Sequence, residues 1–367
     1  GYGRIDKAIA QAFIIEALTY RASWLFNGEC TYYADMANPD GTRLFPSQPD
    51  AATIKADWQK VVTECQKFFA DYGNRFQLMY TDKSGKSVAG PDAEGFNPYE
   101  SYRRAIRTLF SEMGNNKEMI FYRMDNAAGT MQYDRMPNKS GNTNDYRGGS
   151  LLGATQEMVD AYFMANGMSP VTGYAADGVT PIINEASGYK EDGTSSSDYK
   201  SADGTLYAPA GTRNMYVNRE PRFYASVAFN GAFWALASAQ DGDRRNQQVW
   251  YYRGSDNGRK NSSDYWIPTG IGVMKFVSPN DCNTNNGRIY DKVDIPLRYT
   301  DILLMYAEAL NELTPSSSYE VTTWEGEPIT VSRNTEEIRK AVLPVRMRAG
   351  VPDYNEETYN DQTLFRK

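Results

Sequence analysis

The residues best placed to do chemistry are aromatic. Between positions 216 and 266 lie Tyr216, Phe223, Tyr224, Phe229, Phe233, Trp234, Trp250, Tyr251, Tyr252, Tyr265 and Trp266. Three of the chain's six tryptophans fall in this window. Trp250-Tyr-Tyr-Arg253 and Asp264-Tyr-Trp266 are set among Gly, Ser, Asn and Asp, not among aliphatic residues. Consecutive rings in a polar loop cannot all point inward, so some are expected at the surface. There the C–H face of a sugar can lie on a ring while amide, carboxylate or guanidinium groups bond its hydroxyls. The candidate ligand-binding residues are therefore Trp234, Trp250, Tyr251, Tyr252, Tyr265 and Trp266, with Asn230 and Arg253 beside them. The same composition is compatible with rings that pin a long loop to the body, and sequence leaves both readings open.

Other chemistries are restricted by one count. The 367 residues include no histidine, which excludes Ser–His–Asp and Cys–His nucleophile pairs and any His-liganded metal site. Lys and Arg number 39 against 46 Asp and Glu, a net charge of −7 without a basic block, which argues against a nucleic-acid footprint. Gly85-Lys86-Ser87 resembles the end of a phosphate loop, but Tyr80 occupies the upstream glycine position. Asp241 and Asp243 could begin a calcium loop, where Arg245 then replaces a third oxygen ligand. Asn138-Lys-Ser140 and Asn261-Ser-Ser263 fit the glycosylation pattern without further support. Cys30, Cys65 and Cys282 form no Cys-x-x-Cys pair, and Cys65 lies on a helical apolar stripe as a buried thiol would. No catalytic residue, metal ligand or cofactor is assigned. A carboxylate-based glycoside hydrolase stays an open alternative by residue count alone.

The elements that must position the rings follow from periodicity. Residues 4–26 read as a helix apolar nearly all round. Residues 51–72 give the cleanest amphipathic signal, with Asp50 as N-cap, Ile54, Trp58, Val61, Val62, Cys65, Phe68, Phe69 and Tyr72 in one stripe, and Gly73 as stop. The simplest arrangement of these two is an antiparallel pair. A third helix is expected over about 99–113, a short strand over 118–122, and a short helix after Thr155. Residues 216–234 read as extended, and helices close the chain over about 298–313 and from Asn334, with Glu337 as capping partner and a break at Pro344. The expected fold is mostly α, with minor short strands, in a single domain over 1–367. Helical hairpins occupy 1–125, an irregular aromatic-rich ligand-facing region 126–295, and closing helices 296–350.

Six segments, in order, resemble the SusD/RagB family. They are Ala8–Asn27, the helix start at Trp58, Thr155–Gly167, Asn218–Gly231 with its Asn-Arg-Glu-Pro-Arg-Phe, Pro296–Glu312 with its Tyr-Ala-Glu-Ala, and Val345-Arg-Met-Arg-Ala-Gly350. Tyr299-Thr300 and Pro344 depart from the family's pattern. The resemblance implies tetratricopeptide-like helix pairs carrying a long irregular region, and no enzymatic activity. It implies a surface glycan-binding subunit that serves a SusC-type TonB-dependent transporter, with peptide capture in the RagB branch as the alternative. It also implies an outward-facing place on the outer membrane, through an N-terminal lipid anchor absent from this chain. The start at Gly1 and the end at Lys367 fit a portion of such a longer protein. The arginines of the matched motifs and Glu308 are expected to be structural, while the family's motifs assign no ligand contacts.

Overall fold

The computed structural model describes residues 4–124, 128–137, 148–235, 246–260, 266–281, 289–313, 319–322 and 328–366. The long elements are helices: α1 (Lys7–Ala22), α2 (Ala51–Tyr72) and α3 (Pro98–Ile106) lead the chain. Short helices α4 (Ala128–Arg135), α5 (Gln156–Asp160) and α6 (Pro221–Ser226) punctuate its middle. α7 (Tyr299–Glu312), α8 (Thr335–Ala349), α9 (Glu356–Asn360) and α10 (Gln362–Arg366) close it. Strands among the described residues are two to five residues long and pair only in twos. The molecule is mostly helical with minor short strands.

Two cores divide the fold. The first is built by α1, α2, α7 and α8, from Ala12, Ile15, Val61, Val62, Cys65, Phe68, Ile302, Leu310 and Ile338. Its helices begin where side-chain oxygens accept the free N–H groups of the first turn: Asp50 from Ala52 (3.3 Å) and Asn334 from Glu337 (3.1 Å). Gln11 reaches the Glu64 carbonyl at 3.2 Å and Arg21 reaches Asp57 at 3.0 Å, so α1 and α2 run antiparallel. The second core lies under the irregular region and is aromatic. Tyr207 stacks on Tyr224 with centroids 4.5 Å apart, and Tyr216 stacks on Phe229 at 5.0 Å. Phe223 and Trp234 complete it.

Several expectations change. The first helix stops at Ala22, because Ser23 Oγ and Asn27 Nδ2 take the carbonyls of Tyr20 and Ala22 at 2.6 and 3.1 Å. The third stops at Ile106, because Leu109 leaves to bridge Lys292. Residues 221–226, read as extended, are helical: Pro221 stands at a first-turn position, where its fixed φ favours helix and its missing N–H costs nothing. α8 continues unbroken past Pro344. The carbonyl that Pro344 leaves unbonded belongs to exposed Lys340, where water can serve it, while Ile338, Ala341, Val342, Arg346 and Arg348 are buried on either side. Only half of the expected capping box forms there, since the Glu337 carboxylate accepts instead from Tyr306 Oη at 3.0 Å.

At the centre lies a buried ion pair. Arg348, at the end of α8, donates to Glu118 Oε2 at 2.8 Å and to Thr300 Oγ1 at 3.3 Å. Thr300 also donates to Glu118, and the Met79 amide donates to the same carboxylate at 3.2 Å. Glu118 is fully buried, and Arg348 and Thr300 nearly so. Burial alone would raise the Glu118 pKa, but the charges of Arg348 and Arg298 outweigh it and hold the carboxyl below its ordinary value. Its stabilising contribution is therefore complete above the unfolded carboxylate range and lost as pH falls through the lower folded value. Arg348→Met should lower the free energy of urea unfolding by ~3–5 kcal/mol, since Glu118 is left buried without its partner. A change under ~1 kcal/mol would show that the pair is not needed. On acidification, the urea midpoint should fall more in the native chain than in Glu118→Gln.

Candidate functional site

The strand pair Phe233–Ala235 with Asn246–Gln248 aims the chain at the aromatic loop, with Phe233 opposite Gln248. From Val249 to Tyr252 the backbone presents alternate residues to opposite sides, as extended chain does. Val249 and Tyr251 are buried, whereas Trp250 and Tyr252 are 41% and 58% exposed. The two outward rings meet edge to face, with centroids 6.0 Å apart. Behind them the loop is bonded tightly. The Trp250 carbonyl accepts from Ser255 Oγ at 2.8 Å and from the Asn257 amide at 3.3 Å. Ser255 Oγ also donates to the Tyr252 carbonyl at 2.6 Å. A Cβ on Gly258 would sit 1.8 Å from that carbonyl, so the turn requires glycine. The Gly254 amide donates to the Arg259 carbonyl at 3.1 Å and closes the loop.

The expected site residues thus separate into three groups. Trp250, Tyr252 and Arg253 are exposed together on this loop, and Trp266 is half-buried beside Arg259, whose guanidinium lies 5.5 Å from its ring centroid. Trp234 and Tyr251 are core residues, 1% and 5% exposed, and cannot serve as ring platforms. The Tyr251 phenol packs against Gly272, and burial raises its pKa. Asn230 has a positioning role: its Oδ1 accepts the Tyr251 amide at 2.6 Å and fastens the loop. Tyr265 lies outside the described residues, as do Asp241, Arg245, Cys282 and the two glycosylation-type asparagines. Arg259 escaped sequence reasoning, because its meeting with Trp266 depends on loop closure and not on a local spacing.

Among the described residues no cluster of Cys, Asp and Glu is placed to hold a metal. Gly85-Lys86-Ser87 is a turn folded around Asp82, whose Oδ1 accepts from the amides of Ser84 and Lys86, so no phosphate cradle forms. Cys65 is wholly buried and its thiol pKa is pushed up by burial. A cavity of about 980 Å³ lies away from the rings between α1, α2 and α7, beside exposed Trp24. Glu308 lines it from the exposed side of α7, where burial raises its carboxyl pKa and the charge of Arg366, on α10, opposes that rise.

The SusD family matches residues 117–367. The chain belongs to the SusD family. No curated protein matches it. Among solved structures, BT4246 superposes with a TM-score of 0.65 at 23% identity, over 97% of this chain and 57% of its own. The SusD-like protein BF3747 from Bacteroides fragilis gives 0.52 at 22% identity, over 99% and 56%. The chain thus spans a little over half the length of these relatives, which share its fold. The arginines of the SusD-like motifs are structural. Arg219 is fully buried, donating to the carbonyls of Met215 (3.1 Å) and Tyr162 (2.8 Å). Arg346 donates to those of Gly167 (3.0 Å) and Pro352 (2.9 Å), and Arg222 clasps buried Glu220 at 2.6 Å.

Trp234→Ala should destabilise the fold by ~3–5 kcal/mol in urea unfolding, as a large core truncation does. Trp250→Ala should change it by less than ~1 kcal/mol. Equal costs for the two would contradict the inward–outward division of these rings.

Proposed function

We propose that this chain is the non-catalytic, ligand-capturing part of a surface glycan-binding protein. In this reading it takes up oligo- or polysaccharide on the outward face of the outer membrane. It passes the ligand to a SusC-type TonB-dependent transporter, and a lipid anchor on the longer protein tethers it. The observation that carries the reading is the Trp250–Tyr252 pair, two adjoining rings held outward by a loop whose backbone is bonded behind them. Rings fixed in advance lose little entropy on stacking, and hydroxyl-rich ligands are gripped by just such faces with amide and guanidinium groups at the edge. Membership of the SusD family and the absence of histidine both agree with capture without turnover. The antiparallel α1–α2 pair and the packed α7–α8 pair are read as tetratricopeptide-like scaffolding. The region from 126 to 295 carries the ligand-facing surface.

The test is retardation of the purified chain in native gels cast with a panel of polysaccharides. At least one polysaccharide should retard the chain without releasing reducing ends over prolonged incubation. With it, Trp250→Ala and Tyr252→Ala should each weaken binding by ~1–2 kcal/mol, roughly a five- to thirtyfold rise in Kd, at unchanged stability. Retention unaltered by both variants would remove the site assignment. Capture of peptides in place of glycans would move the protein to the alternative branch.

A further inference from the structure

The aromatic platform is basic on an acidic protein. The chain carries a net charge of −7, yet from 250 to 266 three basic residues, Arg253, Arg259 and Lys260, stand against two acids, Asp256 and Asp264. Asp256 is engaged by Lys260 at 3.3 Å. That leaves two exposed guanidiniums, Arg253 and Arg259, with no carboxylate partner among the described residues. Several other exposed arginines hold carboxylates: Arg21 pairs with Asp57 at 3.0 Å, Arg75 with Asp6 at 2.7 Å, and Arg123 and Arg366 with Asp294 and Glu312, whereas exposed Arg213 reaches only the Glu191 carbonyl.

The loop brings the two together with the rings. Arg253 follows Tyr252 directly, and the bond from the Gly254 amide to the Arg259 carbonyl, 3.1 Å, returns Arg259 to the same edge. Arg259 lies over the Trp266 ring at 5.5 Å from the centroid. A guanidinium supported on an indole face keeps its N–H donors free at its edge, in the fork that matches a carboxylate or a sulfate. Trp266 thereby acts on the ligand through Arg259, while Trp250 and Tyr252 offer their own faces.

We infer that the site selects glycans bearing a negative charge, a uronate carboxylate or a sulfate ester, with the sugar ring on Trp250 and Tyr252 and its anionic group at Arg253 and Arg259. The inference rests on the glycan-binding reading above and names its ligand class. Two free guanidiniums facing a neutral ligand would be bonded only through hydroxyls, to which charge adds little. Facing an anion, they form charge-assisted pairs that the acidic remainder of the surface cannot offer.

The experiment sets polygalacturonate, chondroitin sulfate and a neutral mannan in parallel native gels, at low and high salt, against the native chain, Arg253→Gln and Arg259→Gln. At least one anionic polymer should retard the native chain, with retention falling as salt rises, because exposed charge pairs are screened. Each glutamine variant should weaken that retention about tenfold without a change in melting temperature. Retention by polygalacturonate alone identifies the carboxylate as the recognised group, and by chondroitin sulfate alone the sulfate. Retention by mannan alone overturns the charge preference and leaves glycan capture standing. Anionic retention that both variants preserve overturns the assignment to these arginines, and no retention by any polymer overturns both readings.

Discussion

The fold depends on one buried charge pair. Glu118, Arg348, Thr300 and the Met79 amide meet in a space closed to water, and they come from the turn before the strand Met119–Arg123, the end of α8, the start of α7 and the segment after α2. A carboxylate and a guanidinium removed from water are tolerable only when paired and hydrogen-bonded, and here two of the three guanidinium nitrogens of Arg348 find partners. That demand leaves the four segments little freedom to sit otherwise. The Tyr299 amide adds a bond to the Glu118 carbonyl at 2.7 Å, so α7 starts from a fixed point. The same stretch of α8 carries Arg346, which bonds the Gly167 carbonyl and lies 3.6 Å from the Tyr354 ring centroid. One turn of helix therefore joins the helical core to the aromatic one.

From that junction the irregular region is held by polar side chains that reach backbone carbonyls. Arg107 donates to Val277 at 2.9 Å and Arg219 to Met215 and Tyr162. Long, buried guanidiniums serve where ladders of strands are too short to satisfy the backbone. Stacked rings fill the space between them. The loop that carries Trp250 and Tyr252 is itself bonded through the Trp250 and Tyr252 carbonyls, which the proposed capture site would need to hold its rings in place.

The helical part of this architecture was legible in the sequence, and the site only in part. Residues 51–72 were read to the residue, because Asp50, the apolar stripe and Gly73 mark start, face and stop independently. Pro344 misled, because its cost depends on whether the orphaned carbonyl meets water, and only the fold decides that. Asn218-Arg-Glu-Pro-Arg-Phe hid a helix start, since proline marks helix N-termini and extended chain alike. Among the rings, no pattern could separate Tyr251 from Trp250 and Tyr252. All of Val249 to Tyr252 are apolar or amphipathic, so the alternation carries no polarity signal, and the buried set is decided by contacts such as Tyr251 with Gly272. Trp234, expected at the surface with the other rings of its window, is drawn inward by the aromatic core, in keeping with its apolar neighbours Ala232, Phe233 and Ala235.

The central claim is that ligand lies on the Trp250–Tyr252 face and not on the helical side, where Trp24 is 63% exposed beside a cavity of about 980 Å³. Hydroxyl-radical footprinting read by mass spectrometry tests this in one sample, with and without a retarding polysaccharide. Ligand should protect Trp250 and Tyr252 from oxidation while Trp24 reacts at an unchanged rate. Protection of Trp24 with Trp250 and Tyr252 left open would contradict the account and move the binding surface to the helices.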